Sequence, residues 1–208
     1  MTAPIGEPAV ERSLVLADEA TVAKLVAAAD AAGWTVGYTN HCGHNEFEQI
    51  LWIDAGSGTR IRYVEHHTTG TRFLSVYGDD PTGVDTAIGV VTAAAATVGI
   101  DTILDELLSD DTTDPVALVR GFRRLAVAHY ITRVHAHPAG DLDPRYSEAV
   151  RRHVAHPHRQ VRLTVMMVAD ELSTLWPQLT APIVARKDVE TDHADLVDAF
   201  VAVAGSHG

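Results

Sequence analysis

One cysteine, Cys42, stands in 208 residues, so no disulfide framework can form within the chain. Lysine is nearly as scarce, two against 14 arginines. Cation chemistry here is therefore guanidinium chemistry, suited to fixed, bidentate contacts. The uncharged run at residues 86–100 is 15 residues long, short of the roughly 20 that a membrane-spanning helix needs; its Thr and Ala content suits a buried helix. Residues 1–12 carry Glu7 and Glu11 and hold no apolar stretch, so no secretory signal is expected and the expected location is cytoplasmic. There is no phosphate-binding glycine loop, no Gly-x-Ser-x-Gly elbow and no His-Glu-x-x-His pair. The readable signatures of P-loop, serine-hydrolase and zincin chemistry are thus missing, which turns the reading towards binding.

What the chain does have is an uneven charge. The net charge is −12. Residues 1–114 hold 5 basic and 18 acidic side chains, residues 115–162 hold 9 basic and 3 acidic, and residues 163–208 hold 2 basic and 7 acidic. Six of the 12 histidines also fall in the basic block. A basic block between acidic ones can pair internally or hold an anionic partner.

The pattern of apolar residues predicts two kinds of structure. Residues 1–12 read as a loose tail. Asp18 is placed to cap a helix over 19–32, with Val22, Leu25, Val26 and Ala29 as its buried stripe and Gly33 as its stop. Strand-like runs follow near 34–39, 47–54, 60–64 and 72–77, joined by links with turn chemistry. Short links force antiparallel neighbours. The expectation is a helix plus a four-stranded antiparallel meander over residues 13–79, with Arg60, Arg62 and Glu65 towards solvent. From Asp80 the pattern is helical to the end, 80–208. Asp80-Pro81, Asp114-Pro115 and Asp143-Pro144 each read as N-cap and first helical residue. Further starts are expected at Asp101, Pro157, Pro177 and Thr191 or Asp192. The fold class is α+β, the sheet and helical parts packed as one compact unit.

Two stretches of the helical half echo each other 42 residues apart: Asp114-Pro115-Val116-Ala117-Leu118-Val119-Arg120 and His156-Pro157-His158-Arg159-Gln160-Val161-Arg162. Pro, Val and Arg coincide. The echo resembles HEAT repeats, in which a helix pair is followed by a turn and then Val-Arg early in the second helix. The resemblance implies stacked helical hairpins over about half the chain, with Arg120 and Arg162 in matching roles, serving as a docking surface. The plainer alternative is a helical bundle whose proline-initiated starts coincide.

Three sets of residues are candidates for function. The acidic stretch with Asp105, Glu106, Asp110 and Asp111 can meet a basic protein. Arg120, Arg123, Arg152 and Arg162 can hold an anion, including nucleic-acid phosphates, or can pair with those acids inside the fold. His41, Cys42, His44 and Glu46, helped by His66 and His67, could hold zinc or activate a thiolate, although their spacing is not a zinc signature. His135, His137, His153, His156 and His158 form a second group, read as solvated rings near a helix end rather than as a metal site or pH switch. The favoured function is non-enzymatic binding of another protein with a basic surface, of the immunity or inhibitor type. The alternatives are a metal-dependent hydrolase or redox enzyme using the 41–46 loop, and nucleic-acid binding by the arginine-rich segment 120–162.

Overall fold

A computed structural model describes residues 9–40, 47–66, 70–129 and 140–205. The chain divides into two units, residues 1–99 and 100–208. The fold is α+β, with one five-stranded antiparallel sheet and, among the described residues, eight α-helices.

In the first unit the order is β1 (Val10–Val15), α1 (Val22–Ala31), β2 (Thr35–Asn40), β3 (Phe47–Ile53), β4 (Arg60–His66), β5 (Thr71–Gly78) and α2 (Pro81–Ala94). Strands β2 to β5 form the expected meander. The fifth strand lies partly in the segment read as a tail. β1 pairs with β5, so the sheet order is β1-β5-β4-β3-β2. The sequence hides this strand because Arg12 breaks the alternation between Val10 and Leu14. Its place at the edge, with Arg12 exposed, tolerates that break.

One face of the sheet is covered by helices. Ile50, Trp52, Ile61, Tyr63, Leu74 and Val76 share that face by register, and they bury against Leu25 and Ala29 of α1 and Val84, Ala87 and Val91 of α2. Each large buried side chain contributes about 1.5–3 kcal/mol of transfer free energy. Glu65 belongs to this face and not to solvent. Its carboxylate accepts from Tyr63 Oη at 2.7 Å and from Arg72 Nε at 3.0 Å. Arg72 in turn donates to the backbone oxygens of Asp18 and Ala20. That contact explains why α1 starts at Val22 with Thr21 as N-cap, later than the Asp18 cap expected. The backbone of residues 16–20 is held by the sheet, with Leu16 N–H donating to Arg72 O and Ala17 N–H to Ala96 O.

Helix α2 begins as expected, the Asp80 carboxylate accepting from the N–H groups of Thr82 and Gly83. It ends at Ala94, short of the expected Val98. Residues 97 and 98 are drawn back to β1 by the Leu16–Thr97 bridge and by Val98 N–H donating to Val15 O. Because α2 covers the sheet, the boundary between units falls at residues 99–100 and not at 79–80.

The second unit comprises α3 (Ile100–Leu108), α4 (Pro115–Ala128), α5 (Pro144–His153), α6 (Arg159–Ser173), a 3-10 turn (Pro177–Thr180), α7 (Ala181–Val184) and α8 (Ala194–Gly205). Asp114 and Asp143 cap α4 and α5 with their carboxylates, as the Asp-Pro pairs predict. Asp101 instead lies inside the first turn of α3, and α6 starts at Arg159 with His158 as its N-cap, two residues after Pro157. No helix among the described residues is long and apolar enough to cross a membrane.

The closest approach in the first unit is at Gly83. A Cβ there would lie 2.5 Å from Ser57 Cβ and 2.7 Å from Thr59 Oγ1. The β3–β4 turn cannot easily yield, since Ser57 Oγ donates to Asp54 at 2.6 Å and Gly58 sits at φ +73°. Alanine favours a helix over glycine by about 1 kcal/mol. Gly83→Ala is nevertheless expected to destabilise, by about 1–3 kcal/mol of overpacking. The check is a lower urea midpoint at unchanged m-value; an equal or higher midpoint contradicts the tight contact.

Candidate interaction surface

Two helical hairpins build the core of the second unit. Helix α3 packs on α4 and α5 on α6; between hairpins, α5 lies along α3 and α6 along α4. Like therefore meets like. The buried positions recur at a spacing of 43. Leu118, Gly121, Phe122, Leu125 and Ala126 of α4 correspond to Val161, Thr164, Val165, Val168 and Ala169 of α6. Ile103 and Leu107 of α3 correspond in the same way to Tyr146 and Val150 of α5. The Pro-Val-Arg echo at 42 is one residue out of this register. Val119 is half-buried whereas Val161 is fully buried. The residue matching Val119 at a spacing of 43 is Arg162, so Arg120 and Arg162 do not play matching parts.

Arginines of α5 clamp this helix to α3. Arg145 reaches Asp101 and, at 3.2 Å, Asp105, while holding its own cap Asp143 at 2.7 Å. Arg152 donates to Leu108 O at 2.6 Å and pairs with Asp110. His153 Nε2 lies 2.7 Å from Leu107 O, and since a carbonyl can only accept, that nitrogen carries the proton. The first and last turns of α5 are thus tied to α3, and the C-terminal carbonyls of α3, which have no partner in their own helix, are satisfied from outside.

Four further arginines are also engaged. Arg123 pairs with Glu171 at 3.6 Å and donates to Met167 Sδ, and buried Arg124 pairs with Glu106 at 3.8 Å. Arg162 holds Glu190 at 3.0 Å, pairs with Asp192, and donates to the carbonyls of His156 and Pro157. Glu190 is almost wholly buried, its side chain 1% exposed, so breaking this pair would leave a buried charge to the more distant Arg186 at 3.7 Å. Arg120 has a partner as well.

The acids of α3 and the turn after it are held differently. Their arginine partners lie low, but the carboxylates face water: Asp105 is 72% exposed, Glu106 51% and Asp110 94%. Asp111 is exposed beside them. The result is a ridge of carboxylates braced from beneath. Arg145, with its own backbone N–H, also holds the Asp143 carboxyl below the usual range.

Two features escaped the sequence reading. One is the Arg145 clamp, for which the acidic pair Asp101 and Asp105, one turn apart, was the available sign. The other is an aromatic cluster: His129 Nε2 lies 2.6 Å from Tyr146 Oη, and Trp176 stacks edge-on against His129 and donates to Gly140 O at 3.0 Å. Burial pushes the Tyr146 phenol up. No local pattern announces it, because its three rings come from three elements. His41, Cys42, His44, Glu46, His67, His135 and His137 lie outside the described residues. Among the described residues no three His, Cys, Asp or Glu side chains converge as metal ligands. No family model and no curated protein matches the chain.

His153 is not solvated. It is 4% exposed, its ring meets Phe122 edge-to-face at 5.7 Å, and His156 lies 6.2 Å away. Burial lowers its pKa from 6.5, and Arg152 and His156 add to the shift. His156 is lowered too, mainly by burial. The folded state thus prefers neutral rings, while the unfolded chain takes up protons below its pKa near 6.5. Stability is full above that pH and falls as pH drops through it. Thermal melts at pH 7.5 and pH 5 are expected to show this loss, and His153→Gln, which keeps an N–H for Leu107 O, is expected to reduce it. An identical loss in the variant would assign the sensitivity elsewhere.

Proposed function

We propose that this chain is a non-enzymatic protein-binding module whose HEAT-like hairpin pair presents the carboxylate ridge of α3 to a basic partner, in the manner of an immunity or inhibitor protein. The observation that carries this reading is the bracing of Asp105, Glu106 and Asp110 by low-lying arginines while their carboxylates stay open to water. A carboxylate already fixed loses less side-chain freedom on binding, and that loss is a large part of the cost of association. The net charge of −12 adds long-range attraction for a cationic surface.

The arginine segment 120–162 supports nucleic-acid binding less well. Arg123, Arg124, Arg145, Arg152 and Arg162 are each committed to acidic side chains of the fold. Releasing them for phosphates would cost those pairs, and the overall charge opposes a polyanion.

The test is affinity capture from the source cells with wild-type bait and with a bait carrying Asp105→Asn, Glu106→Gln, Asp110→Asn and Asp111→Asn, both shown folded by near-ultraviolet circular dichroism. A basic protein held by the wild type, released by salt and lost on the neutralised bait is the expected result. Its association rate with purified wild-type chain should fall about tenfold or more between low and physiological salt. If nothing is retained through these four carboxylates, the acidic ridge is not the contact surface.

A further inference from the structure

Strand β2 differs from the rest of the sheet. All six of its residues, Thr35–Asn40, are exposed, and among the described residues it is an edge strand, hydrogen-bonded only to β3. Val36 is 58% exposed and Tyr38 43%. The opposite edge, β1, is mostly half-buried and carries Glu11 and Arg12. Natural sheets guard an open edge with charge or proline, and β2 has neither. From residue 31 to residue 45 there is no Asp, Glu, Lys or Arg. In a chain of net charge −12, this is a stretch where a second copy meets no like charge.

The one device on β2 that ordinarily spoils an edge is its bulge, where the register with β3 shifts between Val36 and Tyr38. Its effect on self-pairing is the reverse. Two antiparallel copies of a six-residue strand overlap fully only when Thr35 faces the partner's Asn40, Val36 the partner's Thr39, and Gly37 the partner's Tyr38. In a regular strand those partners have opposite parity and would point to opposite faces. The bulge corrects the parity. Val36 is level with Trp52 and Thr39 with Ile50, so both lie on the helix-covered face. Thr35, Tyr38 and Asn40 are level with Ile53, Leu51 and Gln49, on the other face. Full overlap therefore sets like face beside like face. It also sets each Tyr38 opposite the partner's Gly37, the pairing in which an aromatic can cover the bare backbone of a glycine once its hydroxyl leaves Gln49 Oε1, 3.1 Å away. A Cβ at Gly37 would lie 3.0 Å from Ile53 Cδ1, so a side chain there would require Ile53 to shift.

We infer that β2 pairs antiparallel with β2 of a second copy of this chain, about a twofold axis perpendicular to the sheet between Gly37 and Tyr38, giving one continuous sheet across the dimer. The two copies use the same strand, as a twofold contact requires. This inference is independent of the acidic ridge.

Sedimentation equilibrium of the full chain, from micromolar to millimolar concentration, is the test. The wild type is expected to pass from monomer to dimer mass. Val36→Lys, at an exposed position that should leave the melting temperature unchanged, and Tyr38→Lys, which also gives up the hydrogen bond from Tyr38 Oη to Gln49 Oε1, are each expected to raise the dimer dissociation constant about tenfold or more. Val116→Lys, at an exposed position in the other unit, should leave it unaltered. A monomer at every concentration overturns the inference, and so does a dimer that forms equally well with Lys at 36 and 38.

Discussion

The clamp of α5 on α3 is the constraint on which the second unit depends. Apolar packing between hairpins is non-directional and would tolerate sliding by a turn. The charged contacts would not. Arg145 at the start of α5 and Arg152 near its end fix the helix at two points, and His153 adds a third through a main-chain oxygen. Surface ion pairs contribute little stability singly, about 0–1 kcal/mol. Their effect here is on register. A slip of one α-helical turn would leave Leu107 O without its buried donor, and an unmet buried carbonyl costs about 1–3 kcal/mol.

Arginine suits this task better than lysine, and the composition reflects it. Arg152 divides its donors between a carbonyl and a carboxylate. Arg162 serves two carboxylates and two carbonyls at once. An ammonium presents three donors from a single point and cannot span such sets. The skew of 14 arginines to two lysines is thus consistent with a fold whose basic side chains mostly join its own elements, leaving the acids to face outward.

How much of this was legible follows from the range of the signal. The Asp-Pro starts of α2, α4 and α5 are local, and each carboxylate does cap its own helix. The meander β2 to β5 is also local, fixed by short links. β1 was missed because its partner β5 is the last strand of the sheet and Arg12 disguises its alternation. The sequence points Glu65 towards solvent because its partner, Arg72, comes from the neighbouring strand and carries the contact on to residues 18 and 20. The sequence echo and the buried pattern of the two hairpins run at different spacings. Matching Pro, Val and Arg gave 42, whereas burial gives 43, because α4 starts at its proline and α6 starts two residues beyond its own. Side-chain identity near a helix start reports where the chain turns; the buried face reports where the helices stack, and the two need not share a register.

The acidic residues stand together in the sequence, but the sequence alone does not say which way their charge acts. Neighbouring acids repel, and six carboxylates between Asp101 and Asp114 would by themselves favour a spread, mobile segment. Here the repulsion is offset from below. Arg124, Arg145 and Arg152 neutralise the inner side of the ridge, and Asp114 spends its charge on the N-terminus of α4. What remains outward is the unengaged oxygens, fixed in direction by the engaged ones. Three guanidinium groups offset only half of these six carboxylates, so the ridge stays negative, and salt screens its field beyond a Debye length of about 8–10 Å. On the function proposed above, that screening favours a partner whose basic groups come into close contact over one that is merely cationic, which is the difference between specific docking and non-specific attraction.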